Sequence, residues 1–176
     1  PKRSDGLERA IYMHCGPVRH KVDPKEQAAE QGFRRILRPR FTRIRLASLE
    51  PGASFNQVAE ALCEHGARNA LIAGDAISAV KSGRTPLVIT NRKEHASEFA
   101  RLLGESGIEA YVLTGEGTAR EKREKIDRVR NAPGARYAIV ATGAYIGEGF
   151  DLPQLDTLLL ASPYSHESVI TQYSGR

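Results

Sequence analysis

The chain has 176 residues and a net charge of +5, with 40% hydrophobic and 27% charged residues. This length suits one domain of ordinary size with an appendage and excludes two large domains. The apolar runs are much shorter than the roughly 20 residues that span a membrane, and two cysteines, Cys15 and Cys63, exclude a disulfide scaffold. His14, Cys15 and His20 lack a fourth ligand, so no metal site is predicted. We expect a cytoplasmic protein without membrane contact.

The positive charge is concentrated at the start of the sequence. Residues 1–46 carry 12 Lys or Arg and 5 Asp or Glu, a net charge of +7, whereas residues 47–176 have a net charge of −2. Six arginines alternate there with apolar residues, which predicts a ribbon with one positive side. Such a ribbon either contacts a nucleic-acid backbone or forms a solvated edge strand, and the pattern favours neither. The arginines are Arg34, Arg35, Arg38, Arg40, Arg43 and Arg45.

From residue 54 onward, helix and strand signals alternate, which is typical of a parallel sheet covered by helices. Capping boxes begin two of the helices, one at Ser54 with Gln57 and one at Thr118 with Glu121. The strands at 86–90, 137–141 and 157–160 are apolar, and we expect them to be buried. In chain order, we predict helices at 54–66 and 69–82, a strand at 86–90, a helix at 93–106, a strand at 110–113, a helix at 118–130, strands at 137–141 and 157–160, and a last helix from about residue 165.

The helix at 93–106 has one core-facing stripe, formed by Ala96, Phe99 and Leu103. Glu94 and His95 begin this helix and invite an acid–base interpretation. An acidic side chain also suits the positive end of a helix, and we favour that structural role.

One boundary is predicted, at the turn that contains Pro51 and Gly52. Residues 1–50 form a basic connector with a hairpin, a short helix and a strand, and residues 51–176 form an α/β domain. The sequence begins with Pro1 and its only methionine is Met13, so we expect it to be a piece of a longer protein.

Glycines and polar residues follow the predicted strands, at the edge where parallel α/β folds bind ligands. Thr114 and Gly115 come after the second strand, and Thr142 and Gly143 after the third. Glycines let backbone amides approach a phosphate, and threonine hydroxyls add donors.

In this order, the segments resemble the second RecA-like lobe of superfamily 2 helicases and translocases, over residues 86–176. Residues 87–96 resemble motif IV, residues 142–153 resemble motif V with its Gly-Glu-Gly-Phe-Asp-x-Pro core, and residues 172–176 resemble the front half of motif VI. The segment 147–157 is most similar to the branch of the type III restriction enzyme Res subunits and the xeroderma B-type DNA repair helicases. Residues 1–6 resemble the stretch after motif III, so the connector would start at the end of lobe one.

The resemblance implies a three-layer RecA-like α/β domain with a mainly parallel sheet, of the P-loop NTPase superfamily but without the Walker A loop. It implies ATP and Mg²⁺ between two lobes, with DNA and the N-terminal lobe as partners and a nuclease or methylase domain or subunit as a further partner. The function would be that of the C-terminal lobe of an ATP-dependent DNA helicase or translocase.

The resemblance also assigns roles to single residues. Gln172 and Arg176 would be catalytic and would face the nucleotide, together with Gly147, Glu148, Gly149 and Asp151. Nucleic acid would contact Arg92, Thr114, Gly115, Thr142 and Gly143, and the arginine-rich segment adds Arg34, Arg35 and Arg38.

The sequence lacks the Walker A loop, the acidic motif II and the second motif VI arginine of this family. We therefore expect the chain by itself to be inactive as an ATPase. An alternative is an ATP-gated or passive nucleic-acid-binding module that has lost hydrolysis. A flavodoxin-like small-molecule domain would explain the glycine turns but neither the basic connector nor the motif order.

Overall fold

The computed structural model describes residues 8–20, 36–42, 44, 49, 52–132, 136–146 and 152–164. The chain divides into two compact units, Pro1–Arg43 and Ile44–Arg176. The division falls shortly before the domain boundary predicted after residue 50, which stays a prediction.

In the first unit, helix α1 spans Glu8–Cys15. Residues 36–42 form neither helix nor strand, and Leu37 and Phe41 are almost fully exposed. The structure differs here from the expected ribbon. A strand needs a neighbouring strand to pair its backbone groups, and the described residues of this unit contain none.

The second unit alternates helices and strands as predicted, except for a short helix at 143–146 that was not predicted from the sequence. The one predicted element that cannot be compared is the helix from about residue 165, which lies outside the described residues. The elements are α2 (Phe55–Glu64), α3 (Gly66–Lys81), β1 (Pro86–Thr90), α4 (Lys93–Glu105), β2 (Glu109–Leu113), α5 (Ala119–Arg130), β3 (Tyr137–Thr142), α6 (Gly143–Ile146) and β4 (Thr157–Leu160).

The described strands form one four-stranded sheet in the order β2-β3-β1-β4, and all three neighbouring pairs are parallel. The two central strands are buried along their whole length. The strand predicted at 157–160 is confirmed, but the prediction that it is buried is wrong. Within the described sheet β4 pairs only with β1, so its side chains are half-buried and Leu160 is exposed.

Two apolar layers enclose the sheet because side chains alternate between its faces along each strand. Val88 and Val140 point to the face covered by α3 and α4, where they meet Phe99. Ile89 and Ile139 point to the opposite face, together with α5 and α6. The expected three-layer α/β architecture is therefore confirmed. In the described part of the chain, no helix has the length and apolarity needed to cross a bilayer.

Candidate functional site

The carboxyl ends of three neighbouring strands bring several predicted site residues to one edge of the sheet. β3 lies between β2 and β1. Thr114 and Gly115 follow β2, Thr142 ends β3, and Arg92 follows β1 by two residues. Segments that are far apart in the sequence thus end side by side, as the prediction of a common site requires.

Thr142 lies in the middle of this edge. It is buried and stands in register with Thr90 of β1. Gly143 opens the short helix α6 directly after it, without an intervening loop. The hydroxyl of Tyr145 donates to the carbonyl of Lys122 at 3.0 Å, so α6 is tied to α5.

The side chain of Arg92 already has a partner within the protein. Arg92 is half-buried at the N-cap of α4, and its Nη2 donates to the Asn56 carbonyl of α2 at 3.3 Å. A guanidinium has five N–H donors, so donors remain for a phosphate. Nothing in the sequence indicated the contact with α2.

The turn after β2 is open and charged. Gly115 is exposed, and a Cβ added to it would meet nothing within 4 Å. Its neighbour Glu116 forms an ion pair with Lys93 at the start of α4, which joins the turns on either side of β3. The hydrogen bond from Lys93 lowers the pKa of Glu116. Within the pair, Glu116 neutralises the positive charge of Lys93 at the predicted phosphate-binding edge.

A buried polar network lies directly beneath this edge, and sequence reasoning missed it. His95 Nδ1 is 2.8 Å from Thr90 Oγ1, and His95 Nε2 is 2.9 Å from Asn69 Oδ1. Thr90 Oγ1 is 3.1 Å from Ser162 Oγ, which accepts the backbone N–H of Asn91 at 2.9 Å. The available signal was that Thr90 ends a predicted buried strand and that His95 is next to Ala96 of the predicted core-facing stripe.

His95 is neutral in the folded chain. Its ring is 2% exposed and stacks at a tilt on Phe99. Burial, assisted by the positive charge of Arg68, lowers the pKa of His95 to about 4. His95 therefore has a structural role beyond the one predicted for it at the start of α4, because the hydrogen bonds of its side chain join α3 to β1.

Of the remaining predicted site residues, the structure describes Arg38, which is exposed in the first unit. Among the residues that the structure describes, no group of three or more His, Cys, Asp or Glu side chains could hold a metal ion. The residues outside the described ranges are Arg34, Arg35, Gly147, Glu148, Gly149, Asp151, Gln172 and Arg176.

Comparison with known proteins adds family information to this geometry. The family described as "Helicase conserved C-terminal domain" matches residues 67–176. The chain is 34% identical over 112 residues to the transcript termination proteins OPG145 of monkeypox virus and A18 of vaccinia virus (strain Ankara). These alignments cover 62% of this chain but 22% of each viral protein, so the chain spans about a fifth of their length.

Two solved structures have the same fold. The crystal structure of T4 UvsW superimposes with a TM-score of 0.60 at 20% identity, over 69% of this chain and 24% of that one. The C-terminal part of the Fun30 ATPase domain gives a TM-score of 0.54 at 12% identity, over 66% of this chain and 37% of that one. The fold of the chain is therefore RecA-like.

Proposed function

Because the chain belongs to the family of helicase conserved C-terminal domains, we propose that it is the second RecA-like lobe of an ATP-dependent DNA helicase or translocase of superfamily 2. The lobe would supply contacts to the DNA backbone and half of an ATP site shared with an N-terminal lobe. The observation that carries the proposal is the common edge at which β2, β3 and β1 end. Ligands of parallel α/β folds bind at this edge.

DNA would be held through its phosphates. The open space around Gly115 lets a phosphate approach the backbone amides of the turn after β2, and the hydroxyl of Thr114 adds a donor. Arg92 and Lys93 bring positive charge to the neighbouring turn. A phosphate bound there would compete with Glu116 for Lys93.

ATP would be bound by the residues that follow β3 and by those of motif VI. What supports this assignment is that α6 begins at the carboxyl end of β3 and ends one residue before Gly147 in the sequence. In the proposal, Gln172 and Arg176 face the nucleotide, and Mg²⁺ neutralises charge on its phosphates. The N-terminal lobe would close the cleft over the ATP and complete the site.

The branch of superfamily 2 and the biological process in which the protein acts are part of the same proposal. Residues 147–157 support the branch of type III restriction enzyme Res subunits and xeroderma B-type repair helicases. The viral relatives are named transcript termination proteins, which adds termination to restriction and repair as a setting. A nuclease or methylase partner and a cytoplasmic location belong to this proposal as well.

Binding of the chain to single-stranded DNA tests the proposed contact. We expect weak binding that falls steeply with salt, because phosphate contacts release counterions. Three to five contacts would give a log–log slope of roughly −2 to −3.5. Fluorescence anisotropy of a labelled oligo(dT) over a salt series measures this slope, and an affinity that does not change with salt contradicts the proposal.

A matched pair of variants locates the contact on the protein. Glu116→Gln frees Lys93 and should raise DNA affinity at low salt, by up to about fivefold, the range of an exposed ion pair. Glu105→Gln removes the same charge at the other end of α4, about 18 Å away along the helix, where Glu105 pairs with Arg101. Equal effects of the two variants would argue against DNA at this edge.

The chain alone should hydrolyse no ATP above background, because its sequence contains no Walker A loop. A coupled ATPase assay with and without oligo(dT) measures this, and DNA-stimulated turnover by the pure chain contradicts it. For the whole protein, we expect the reading frame to encode a Gly-Lys-Thr or Gly-Lys-Ser loop upstream and an arginine three residues after Arg176. If either is missing, the alternative of a binding module without hydrolysis replaces the motor.

A further inference from the structure

The direction of each hydrogen bond in the His95 network follows from one backbone carbonyl. The carbonyl oxygen of Cys63 can only accept, so the Asn69 atom that faces it at 2.6 Å is the Nδ2 donor. Asn69 Oδ1 then faces His95 Nε2, and because an amide oxygen only accepts, Nε2 carries the ring proton. The other ring nitrogen of neutral His95, Nδ1, is therefore an acceptor.

The direction continues from His95 to the turn after β1. Thr90 Oγ1 donates its hydrogen to Nδ1 and can then only accept from Ser162 Oγ. Ser162 donates to Thr90 and accepts the backbone N–H of Asn91. Thr90 Oγ1 also lies 3.5 Å from the backbone nitrogen of Arg92. The tautomer of His95 thus determines the direction of the hydrogen bonds that hold the backbone of residues 91 and 92.

Water cannot replace these bonds, since the side chains of Asn69, Thr90, His95 and Ser162 are all buried. A buried donor or acceptor that loses its partner stays unsatisfied, which makes such a network rigid when it is complete. The turn above it is exposed at Asn91 and half-exposed at Arg92. The network is therefore a rigid base beneath an accessible turn.

We propose that His95 and Ser162 are positioning residues for nucleic-acid binding, which hold the turn at Asn91 and Arg92 in the conformation that receives a phosphate. The inference rests on the proposed function. Neither side chain needs to touch DNA, because each acts through the backbone of this turn. Ser162 also lies two residues after the end of β4, next to Ala161, whose N–H donates to the carbonyl of Ile89 at 2.8 Å. The same hydroxyl thus links the DNA-side turn to the segment that leads to motif VI.

The network is tested first by NMR on the isolated chain. Long-range ¹H–¹⁵N spectra should show the Nε2–H tautomer of His95 from about pH 8 down to about pH 5. Ser162→Ala removes the acceptor of the Asn91 amide and should speed its hydrogen exchange roughly tenfold or more, while the central amides of β3 stay protected. An Nδ1–H tautomer, or unchanged exchange at Asn91, overturns the inference.

DNA binding then tests the positioning role. Ser162→Ala and His95→Gln should each weaken oligo(dT) binding at low salt by roughly three- to tenfold. Ser162→Thr keeps the hydroxyl and should restore most of the affinity. Val129→Ala, a fully buried site on the opposite face of the sheet, lowers stability without touching the network and should bind like the wild type.

The outcomes separate the two proposals. If the wild type binds in a salt-dependent manner and both network variants bind equally well, the positioning role falls and the proposed function stands. If Val129→Ala weakens binding as much as Ser162→Ala, the effect is one of general stability and the positioning role also falls. If the wild type shows no salt-dependent binding, the proposed function and the role of the network in it fall together.

Discussion

His95 has a tautomer and a charge state that are set by its surroundings. Its ring lies between Thr90 and Asn69, and a protonated ring would force Nδ1 to donate where it now accepts. Burial is the main cause that lowers the pKa of His95, and the positive charge of Arg68 adds to it, while Glu98 on α4 opposes both more weakly. The folded chain therefore holds the neutral form well below the usual pKa of histidine.

This neutral histidine predicts a loss of stability in mild acid. The pKa of His95 is about 4 in the folded chain, against 6.5 for an unperturbed histidine. Between these values the unfolded chain binds a proton that the folded chain does not, so the free energy of unfolding falls as the pH drops, by up to about 3 kcal/mol. Urea unfolding between pH 7 and pH 5 measures this slope.

Two variants test whether His95 causes this pH dependence of the free energy of unfolding. His95→Gln keeps a donor for Asn69 but cannot titrate, so its stability should change less with pH than that of the wild type. His14→Gln replaces an exposed histidine of α1 and should keep the wild-type slope. A slope that survives in His95→Gln would show that other groups cause it.

At the scale of single elements, helix starts depend on local hydrogen bonds. Both predicted capping boxes are confirmed, at Ser54 with Gln57 and at Thr118 with Glu121. Helix α3, however, begins at Gly66 rather than at residue 69. The ring of His65 accepts the Arg68 N–H at 3.2 Å and caps it. Histidine is not among the residues preferred at N-caps, so the sequence did not indicate this start.

The turn before α5 contains two glycines, one of which we expect to be needed for stability while the other serves as a control. Gly117 has φ +96°, and a Cβ there would lie 2.7 Å from Glu121 Oε2, which accepts the Thr118 N–H in the capping box. Gly117→Ala should therefore destabilise the chain by about 1–2 kcal/mol. Gly115→Ala adds a methyl group in open space at an ordinary φ and should change stability by less than about 0.5 kcal/mol. Thermal unfolding of both variants measures their stability, and an equal loss of stability in the two variants would contradict the expectation.

At the scale of the whole molecule, the net positive charge and the sheet with its helices lie in different parts of the chain. Residues 1–46 carry the net positive charge, and the sheet and its helices lie in the second unit. Long-range attraction of a polyanion depends on net charge, whereas precise contact depends on the sheet edge. The proposed lobe would thus attract DNA with one part and position it with another.

Replacing Arg34, Arg35 and Arg38 together with Ala tests this division. Loss of three phosphate contacts should weaken oligo(dT) binding at low salt and reduce the log–log salt slope by about 2. Since Arg38 is exposed, the melting temperature should change little. Arg123→Ala with Arg128→Ala and Arg130→Ala removes the same charge from the exposed face of α5 and serves as the control. A large loss of stability in the first variant would make these arginines structural.

The sequence by itself determined the order and type of the elements in the α/β domain, except for the short helix α6. Apolar periodicity, capping boxes and helix-ending glycines act over a few residues, so they can be recognised without the fold. The strand-end segments that resemble three helicase motifs are equally local, and they were sufficient to indicate the family. The buried stripe of Ala96, Phe99 and Leu103 on α4 was predicted in the same way and is confirmed.

Only the tertiary structure decided which strand ends are neighbours and what lies beneath them. The order β2-β3-β1-β4 places β3 between two strands that precede it in the sequence, and it leaves β4 half-buried. Ser162 and Thr90 are 72 residues apart, and Arg92 and Asn56 are 36 apart. No pattern within a few residues of the sequence indicates contacts over such separations. The partners meet only when parallel strands, joined through helices, close into one sheet and bury the groups that must then satisfy one another.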